Sequence, residues 1–216
     1  MSSDTRSQMN AMYRLTRHVY DASRKYYLLG RDRLIAGLAP DNGARICEIG
    51  CGTARNLIKL AWRYPDARFY GLDASDEMLK TAHKSLEKNK LGQAVILKQG
   101  FAQNFDPATL FDLDMPFDAF VFSYALSIIP PWRESIDHAL DLLPAGGALH
   151  IVDFGGMEDL PPVFRRFVFW WLSLFHVYHK PEILVHLQAL QQSGKGALRV
   201  ETLYGGYAYI AVFEKA

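Results

Sequence analysis

The chain has 216 residues, half of them hydrophobic, which is enough for one compact domain with a buried core. Its 24 basic and 23 acidic side chains leave a formal net charge of +1, which argues against a nucleic-acid partner. The polar start predicts no signal peptide, and no apolar run is long enough to span a bilayer, so we expect a cytoplasmic protein. Cys47 and Cys51 lack the further ligands of a metal site, so we expect no bound metal.

Strands and helices alternate along most of the sequence. Residues 9–38 have helical apolar spacing, and a turn at 40–43 follows. Strands are predicted at 44–49, 68–73, 94–99, 118–123 and 148–154, and helices at 56–64, 75–88 and 134–143. Residues 198–204 and 207–213, joined by Gly205 and Gly206, predict a hairpin. We therefore expect a single α/β domain over residues 1–216, with a mostly parallel sheet, a C-terminal antiparallel hairpin and a helical lid at 1–40.

The stretch 48–55 follows the first predicted strand and carries the clearest chemical signal. Gly50 allows the chain to turn sharply, and Gly52 lets the backbone approach a ligand closely. The helix that follows offers free N–H groups to that ligand. Arg55 stands where a dinucleotide-binding fingerprint needs its third glycine, so a pyrophosphate ligand is less favoured. Glu48 is better suited to a cationic ligand.

A carboxylate ends the second predicted strand. Asp73 lies about twenty residues after the glycine loop, the spacing at which an acid accepts the hydroxyls of a ribose. The alternative is that Asp73 caps the next helix, but Ser75 is placed to serve as that cap. The spacing favours a ribose contact.

Residues 44–155 resemble the class I methyltransferases that depend on S-adenosyl-L-methionine (SAM), through segments 48–52, 71–75 and 143–147. The resemblance implies a Rossmann-like seven-stranded sheet that binds SAM at its carboxyl edge and releases S-adenosyl-L-homocysteine. It places Gly50, Gly52 and Thr53 against the methionine part of SAM and Asp73 on the ribose. The full set of SAM-binding residues that we predict is Arg31, Glu48, Gly50, Gly52, Thr53, Asp73, Ala74, Met78, Phe101, Ala102 and Ser123.

Three members of that set need further comment. Residues 100–103 lack the acid that many family members place near the adenine, so the Ala102 backbone and the Phe101 ring would recognise it. Arg31 would pair with a carboxylate, either that of SAM or that of homoserine, and a surface salt bridge is the alternative.

Outside that core, segments 20–33, 123–132, 152–155, 175–177 and 203–207 resemble the bacterial N-methyltransferases of betaine-lipid synthesis. This implies three successive methylations of the amine of diacylglyceryl-homoserine, with a separate homoserine-transferring enzyme as a functional partner. The alternative substrates are another lipid amine, such as phosphatidylethanolamine, or a soluble amine or phenol. A protein that binds SAM without transferring its methyl group is a third hypothesis.

Five residues are candidates for the substrate side of the site. Tyr20, Tyr27 and Tyr124 offer ring faces to a growing ammonium. Asp153 and His176 are candidate proton acceptors or partners of the amine. The alternatives are a packed histidine at position 176 and, at position 153, a cap for the turn at 155–156.

Residues 156–195 form a predicted insertion that faces either the substrate or a membrane. Its segment 164–179 is rich in aromatic side chains, with Arg165 and Arg166 among them. A buried helix explains the composition, and so does a lipid-facing patch, because aromatic rings sit well at a lipid boundary. The second interpretation predicts a peripheral protein at the inner face of the cytoplasmic membrane.

Overall fold

A seven-stranded sheet forms the centre of the protein, in the strand order β3-β2-β1-β4-β5-β7-β6. The computed structural model describes residues 27–174 and 177–216, so the predictions for Tyr20, His176 and the start of the lid lie outside the described residues. The strands are β1 (Arg45–Ile49), β2 (Arg68–Asp73), β3 (Val95–Gln99), β4 (Ala119–Ser123), β5 (Ala148–Phe154), β6 (Gly196–Leu203) and β7 (Ala208–Lys215). The predicted sheet is confirmed.

Helices pack on both sides of this sheet. They are α1 (Arg31–Gly37), α2 (Arg55–Arg63), α3 (Asp76–Lys88), α4 (Pro107–Phe111), α5 (Trp132–Leu142), α6 (Pro162–Ser173) and α7 (Glu182–Gln192). Ser75 caps α3 as expected, because its hydroxyl accepts a hydrogen bond from the Met78 N–H at 3.3 Å. Helix α4 was not predicted, since five residues are too few to show a helical period.

Successive residues of the central strands point their side chains alternately into two separate hydrophobic cores. Ile46 and Val121 point into a core that contains Leu57 of α2. Their neighbours Cys47 and Phe120 point into the other core, with residues of α5 and α7. Both faces of the sheet are therefore covered, as a parallel sheet requires.

The last two strands form the predicted hairpin, and β7 lies between β5 and β6, antiparallel to both. Its connection is longer than a two-residue turn. Tyr204, Gly205 and Gly206 all have positive φ, at 54°, 65° and 82°. The register sets Asp153 of β5 opposite Tyr209 of β7, which places Asp153 next to the hairpin.

Among the described helices, none combines the length and the hydropathy that a membrane-spanning segment needs.

Candidate active site

The loop after β1 is shaped by residues with left-handed backbone conformation. Gly50 has φ of 74° and Ala54 has φ of 62°. The Gly50 N–H donates to the Leu72 carbonyl of β2 at 2.7 Å, which fixes the turn. A Cβ on Gly50 would lie 2.8 Å from the Cβ of Ala125, so no side chain fits there. The loop is held close to β2 and β4 and leads directly into α2.

Asp73 joins this loop to the start of α3. One carboxylate oxygen accepts a hydrogen bond from the Gly52 N–H at 2.8 Å, and the other accepts from the Ser75 N–H at 2.9 Å. The side chain is half-buried at the end of β2. Each carboxylate oxygen can accept a second hydrogen bond, so both loop contacts are compatible with a ligand on the open side.

Glu48 is buried beneath the loop and is 2% exposed. Its Oε1 accepts a hydrogen bond from the Asn56 amide at 2.7 Å, whereas Oε2 has no partner among the described residues. Burial raises the pKa of Glu48 to about 8, against the lowering effects of the Asn56 hydrogen bond and the Arg31 charge. Burial therefore favours the neutral form of Glu48.

Helix α1 covers this region and is joined to α2 by ion pairs. Asp32 accepts hydrogen bonds from Arg55 at 2.8 Å and from Lys59 at 2.8 Å. Arg31, the preceding residue, is 8% exposed, and its Nε donates to the Leu28 carbonyl at 3.0 Å. Helix α1 thus turns the Arg31 side chain inward, near Glu48, and its pairing with a carboxylate stays a prediction.

The other residues predicted to bind SAM also lie at the carboxyl edge of the sheet. Thr53 follows β1, Ala74 and Met78 follow β2, Phe101 and Ala102 follow β3, and Ser123 ends β4. Met78 and Ala102 are buried. The Ser123 hydroxyl is also buried and has no hydrogen-bond partner among the described residues. The fold thus gathers the predicted set along one edge, and their contacts with SAM stay predictions.

Five aromatic rings meet beside this edge and form what we call the aromatic cluster: Tyr27, Tyr124, Phe154, Trp171 and Tyr207. Ring centroids are 4.6 Å apart for Tyr124 and Phe154, and 4.7 Å apart for Tyr27 and Trp171. The Tyr124 hydroxyl donates to the Leu29 carbonyl, and the Tyr207 hydroxyl donates to the Tyr27 carbonyl at 2.9 Å. Burial raises the pKa of Tyr124, and that of Tyr207 to about 12, so both phenols stay neutral.

Asp153 lies at the end of β5 and is 1% exposed. Its carboxylate accepts hydrogen bonds from the Ser127 N–H at 3.0 Å and from the Phe154 N–H at 2.8 Å. The alternative of a cap for the turn at 155–156 is wrong, since the Gly155 N–H donates to the Tyr207 carbonyl. Burial raises the pKa of Asp153 to about 6. Its visible role is to fix the loop that joins β4 to α5.

Lys180 holds the same loop from the other side and was missed from sequence. Its Nζ donates to the Leu126 carbonyl at 2.8 Å and to the Ile129 carbonyl at 3.1 Å. The contact joins residues 54 positions apart, so no local sequence pattern reveals it. Together Asp153 and Lys180 set the position of the segment that follows β4.

An apolar groove of about 480 Å³ opens next to the aromatic cluster. Its walls include Tyr27, Leu160, Phe167, Trp171, Tyr204 and Tyr207. A cavity of about 500 Å³ lies at the opposite, amino-terminal edge of the strands, with Asp118 and His150 in its lining, far from the predicted site residues along the fold. The groove is therefore the cavity that adjoins the candidate site.

The predicted insertion 156–195 contains two helices with different surroundings. Helix α7 buries Ile183 and Leu187 in the core, so the second half of the insertion is part of the domain. Helix α6 buries Val168 and Leu172, while Phe167 and Trp170 are 56% and 58% exposed. The alternative of a buried aromatic helix is thus wrong for the outer face of α6.

Comparison with known proteins agrees with this architecture. A family model described as a methyltransferase domain matches residues 46–147. A carboxy-S-adenosyl-L-methionine synthase of Campylobacter lari is 34% identical over 117 residues, or 53% of this chain and 46% of that protein. A trans-aconitate 2-methyltransferase of Escherichia coli is 29% identical over 138 residues, or 63% of this chain and 50% of that protein. The chain thus spans about half the length of these curated relatives.

Solved structures share the fold at low sequence identity. The methyltransferase SibL in its apo form has a TM-score of 0.67 at 17% identity, over 91% of this chain and 57% of that chain. A protein of Thermotoga maritima described as a possible histamine N-methyltransferase has a TM-score of 0.64 at 17% identity, over 95% of this chain and 100% of that chain. Similarity at this level supports the fold.

Proposed function

We propose that this chain is a class I SAM-dependent methyltransferase that methylates the amine of a lipid. The substrate that we propose is diacylglyceryl-homoserine, methylated successively to the trimethylated betaine lipid. The observation that supports a lipid amine is the apolar groove beside the aromatic cluster, at the edge of the sheet where the predicted SAM-binding residues lie. The resemblance in sequence segments outside the core supports the homoserine headgroup.

The residues at the sheet edge fit SAM. Helix α2 begins at Arg55, and its N-cap residue Ala54 offers no side-chain cap, so the first N–H groups of the helix are open to the carboxylate of a ligand. The unpartnered Glu48 Oε2 and Ser123 Oγ are buried acceptors or donors that a bound ligand would satisfy. A Cβ on Gly50 would intrude on Ala125, so the chain keeps this approach free of side chains. Asp73 retains lone pairs for the two ribose hydroxyls.

Bound SAM supplies an electrophilic methyl group on its sulfonium. The chain's task is to hold a neutral amine in line with it, and such positioning accounts for much of the rate of a two-reactant transfer. The Tyr27 and Tyr124 rings would face the amine as it becomes cationic. The Tyr124 hydroxyl donates to the Leu29 carbonyl and the Tyr27 ring packs against Trp171, so we assign both rings orientation and cation stabilisation. Asp153 acts as a positioning residue through Ser127 and the loop after β4.

The test is incubation of the purified chain with labelled SAM and diacylglyceryl-homoserine in vesicles, followed by mass spectrometry of the lipids. We expect mass gains of one, two and three methyl groups, which requires release or reorientation of the amine between steps. An Asp73→Ala chain is the matched control for cofactor dependence. No gain on this lipid, with SAM binding intact, would refute the substrate and direct the search to phosphatidylethanolamine and soluble amines.

A further inference from the structure

The outer face of α6 is an unusual surface for a helix of this domain. Val163, Phe167, Trp170 and Leu174 are 81%, 56%, 58% and 57% exposed. They follow one another in steps of four, three and four residues, so they form a single stripe along the helix. Val168 and Leu172 point the opposite way, into the core. We call the exposed stripe the α6 face.

The charged side chains of helix α6 itself have one sign. Arg165 and Arg166 lie within the helix, and Pro162–Ser173 contains no acidic residue. Arg166 is exposed, and neither arginine forms an ion pair with any residue of the described part of the chain. Arg166 lies beside the stripe. Arg165, in contrast, lies three residues before Val168 and seven before Leu172, on the side of the helix that faces the core. An apolar stripe with a basic side chain beside it is complementary to an anionic bilayer, where the rings enter the headgroup boundary and the guanidinium group meets phosphates.

The α6 face is continuous with the candidate site. Phe167 belongs both to this face and to the wall of the apolar groove, and Trp171 on the next side of the helix reaches the aromatic cluster. A lipid that leaves the bilayer beside α6 would enter the groove without exposing its acyl chains to water. A soluble partner protein would not need this opening next to its docking surface.

We infer that the α6 face docks on an anionic lipid bilayer and delivers the lipid substrate into the groove. The claim that the α6 face binds a bilayer rests on the exposed residues of that face alone. The claim that lipid substrate passes from there into the groove rests also on the proposed lipid-amine function. Insertion is shallow, since a helix that lies in the interface buries its apolar face by about 5–10 Å.

The test is co-sedimentation of the full chain with vesicles of phosphatidylcholine and phosphatidylglycerol. The variant F167E/W170E places two charges in the stripe, and we expect it to bind vesicles at least about tenfold more weakly. Trp62→Glu is the matched control, because Trp62 is 59% exposed at the end of α2, where the helix has returned toward the amino-terminal edge of the sheet. Trp62→Glu should bind vesicles like the unmodified chain.

A second variant measures the contribution of the arginine charges to vesicle binding separately from that of the aromatic rings. R165Q/R166Q should lose the preference for phosphatidylglycerol and keep the residual binding to phosphatidylcholine. Absence of vesicle binding by the unmodified chain would overturn docking, and so would an equal loss in Trp62→Glu. Size-exclusion chromatography gives the remaining outcome: a dimer that F167E/W170E converts to a monomer would show that a second copy covers the α6 face, against our inference.

Failure of docking and failure of the proposed function give different results. A short-chain, water-soluble analogue of the lipid amine needs no bilayer, and Val163 and Trp170 lie on the α6 face outside the groove lining. The variant V163E/W170E should therefore lose vesicle binding as F167E/W170E does, yet methylate the analogue as fast as the unmodified chain. Vesicle binding without methyl transfer to any lipid amine would refute the function and leave docking intact. Methyl transfer to the soluble analogue without vesicle binding would refute docking and leave the reaction intact.

Discussion

Replacing Asp73 by alanine is the sharpest test of the cofactor site. The substitution removes two acceptors at once, so the N–H groups of Gly52 and Ser75 lose their partners. It also removes the carboxylate that we place on the ribose hydroxyls. The change is confined to the end of β2 and leaves no large cavity, because the side chain is half-buried.

The expected loss follows from the number and type of hydrogen bonds. A bond to a charged group contributes about 1.5–3 kcal/mol, and a part-exposed site lies at the lower end of that range. Two ribose contacts then amount to about 3 kcal/mol, which weakens SAM binding by about 150-fold. Water can reach the two freed N–H groups, so the free energy of unfolding should fall by about 1 kcal/mol.

Isothermal titration calorimetry with SAM measures the affinity, and urea denaturation measures the stability. Ser75→Ala is the matched control, because it removes the hydroxyl that accepts from the Met78 N–H and keeps the backbone N–H that binds Asp73. It should cost about 1 kcal/mol of stability and leave SAM affinity unchanged. If Asp73→Ala binds SAM as tightly as the unmodified chain, Asp73 does not hold the ribose.

Three further changes test the rest of the site. Gly50→Ala should weaken SAM binding by at least about tenfold, because the residue has φ of 74° and its added Cβ would lie 2.8 Å from the Ala125 Cβ, so the loop must move. Gly43→Ala is the control: Gly43 has φ of 80° and open space around it, so this variant measures the backbone strain without the clash. Since the folded chain raises the pKa of Glu48 from 4.5 to about 8, it binds that proton more tightly than the unfolded chain does, and stability falls as pH rises across this window. Glu48→Gln should flatten that fall in urea titrations at several pH values, and an unchanged slope would contradict the buried acid. Asp153→Asn leaves the Ser127 or Phe154 N–H without an acceptor, so we expect a loss of about 1–3 kcal/mol and faster hydrogen exchange over residues 124–131, and native exchange there would contradict a positioning role.

The parts of the fold that were predictable depend on short-range patterns. Strands β1 and β4 are short apolar runs that end at glycine or serine, and α3 begins at a capping serine three residues before a buried methionine. The glycine loop and Asp73 were found from their spacing, because the backbone geometry at Gly50 restricts that position to glycine. These signals lie within a few residues of the features that they predict.

The parts that were not predictable depend on contacts between distant residues. Lys180 meets the Leu126 carbonyl across 54 positions, and Tyr207 meets the Tyr27 carbonyl across 180. No local pattern encodes such pairs. The raised pKa of Glu48 was equally unpredictable from sequence, because it results from burial of the carboxyl group, one oxygen of which has no partner among the described residues. Exposure of the α6 face was left open for the same reason, since apolar composition fits a core helix and a surface stripe equally well.

The position of β7 has a consequence for how the chain is made. Residues 208–215 follow every other strand in sequence, yet they lie between β5 and β6 in the sheet. During synthesis the outer edge of β5 has no permanent neighbour until those residues have left the ribosome, and an apolar edge such as Leu149–Ile151–Val152 pairs readily with other chains. Stalled or shortened products should therefore aggregate and engage chaperones even though the whole glycine loop has already been translated.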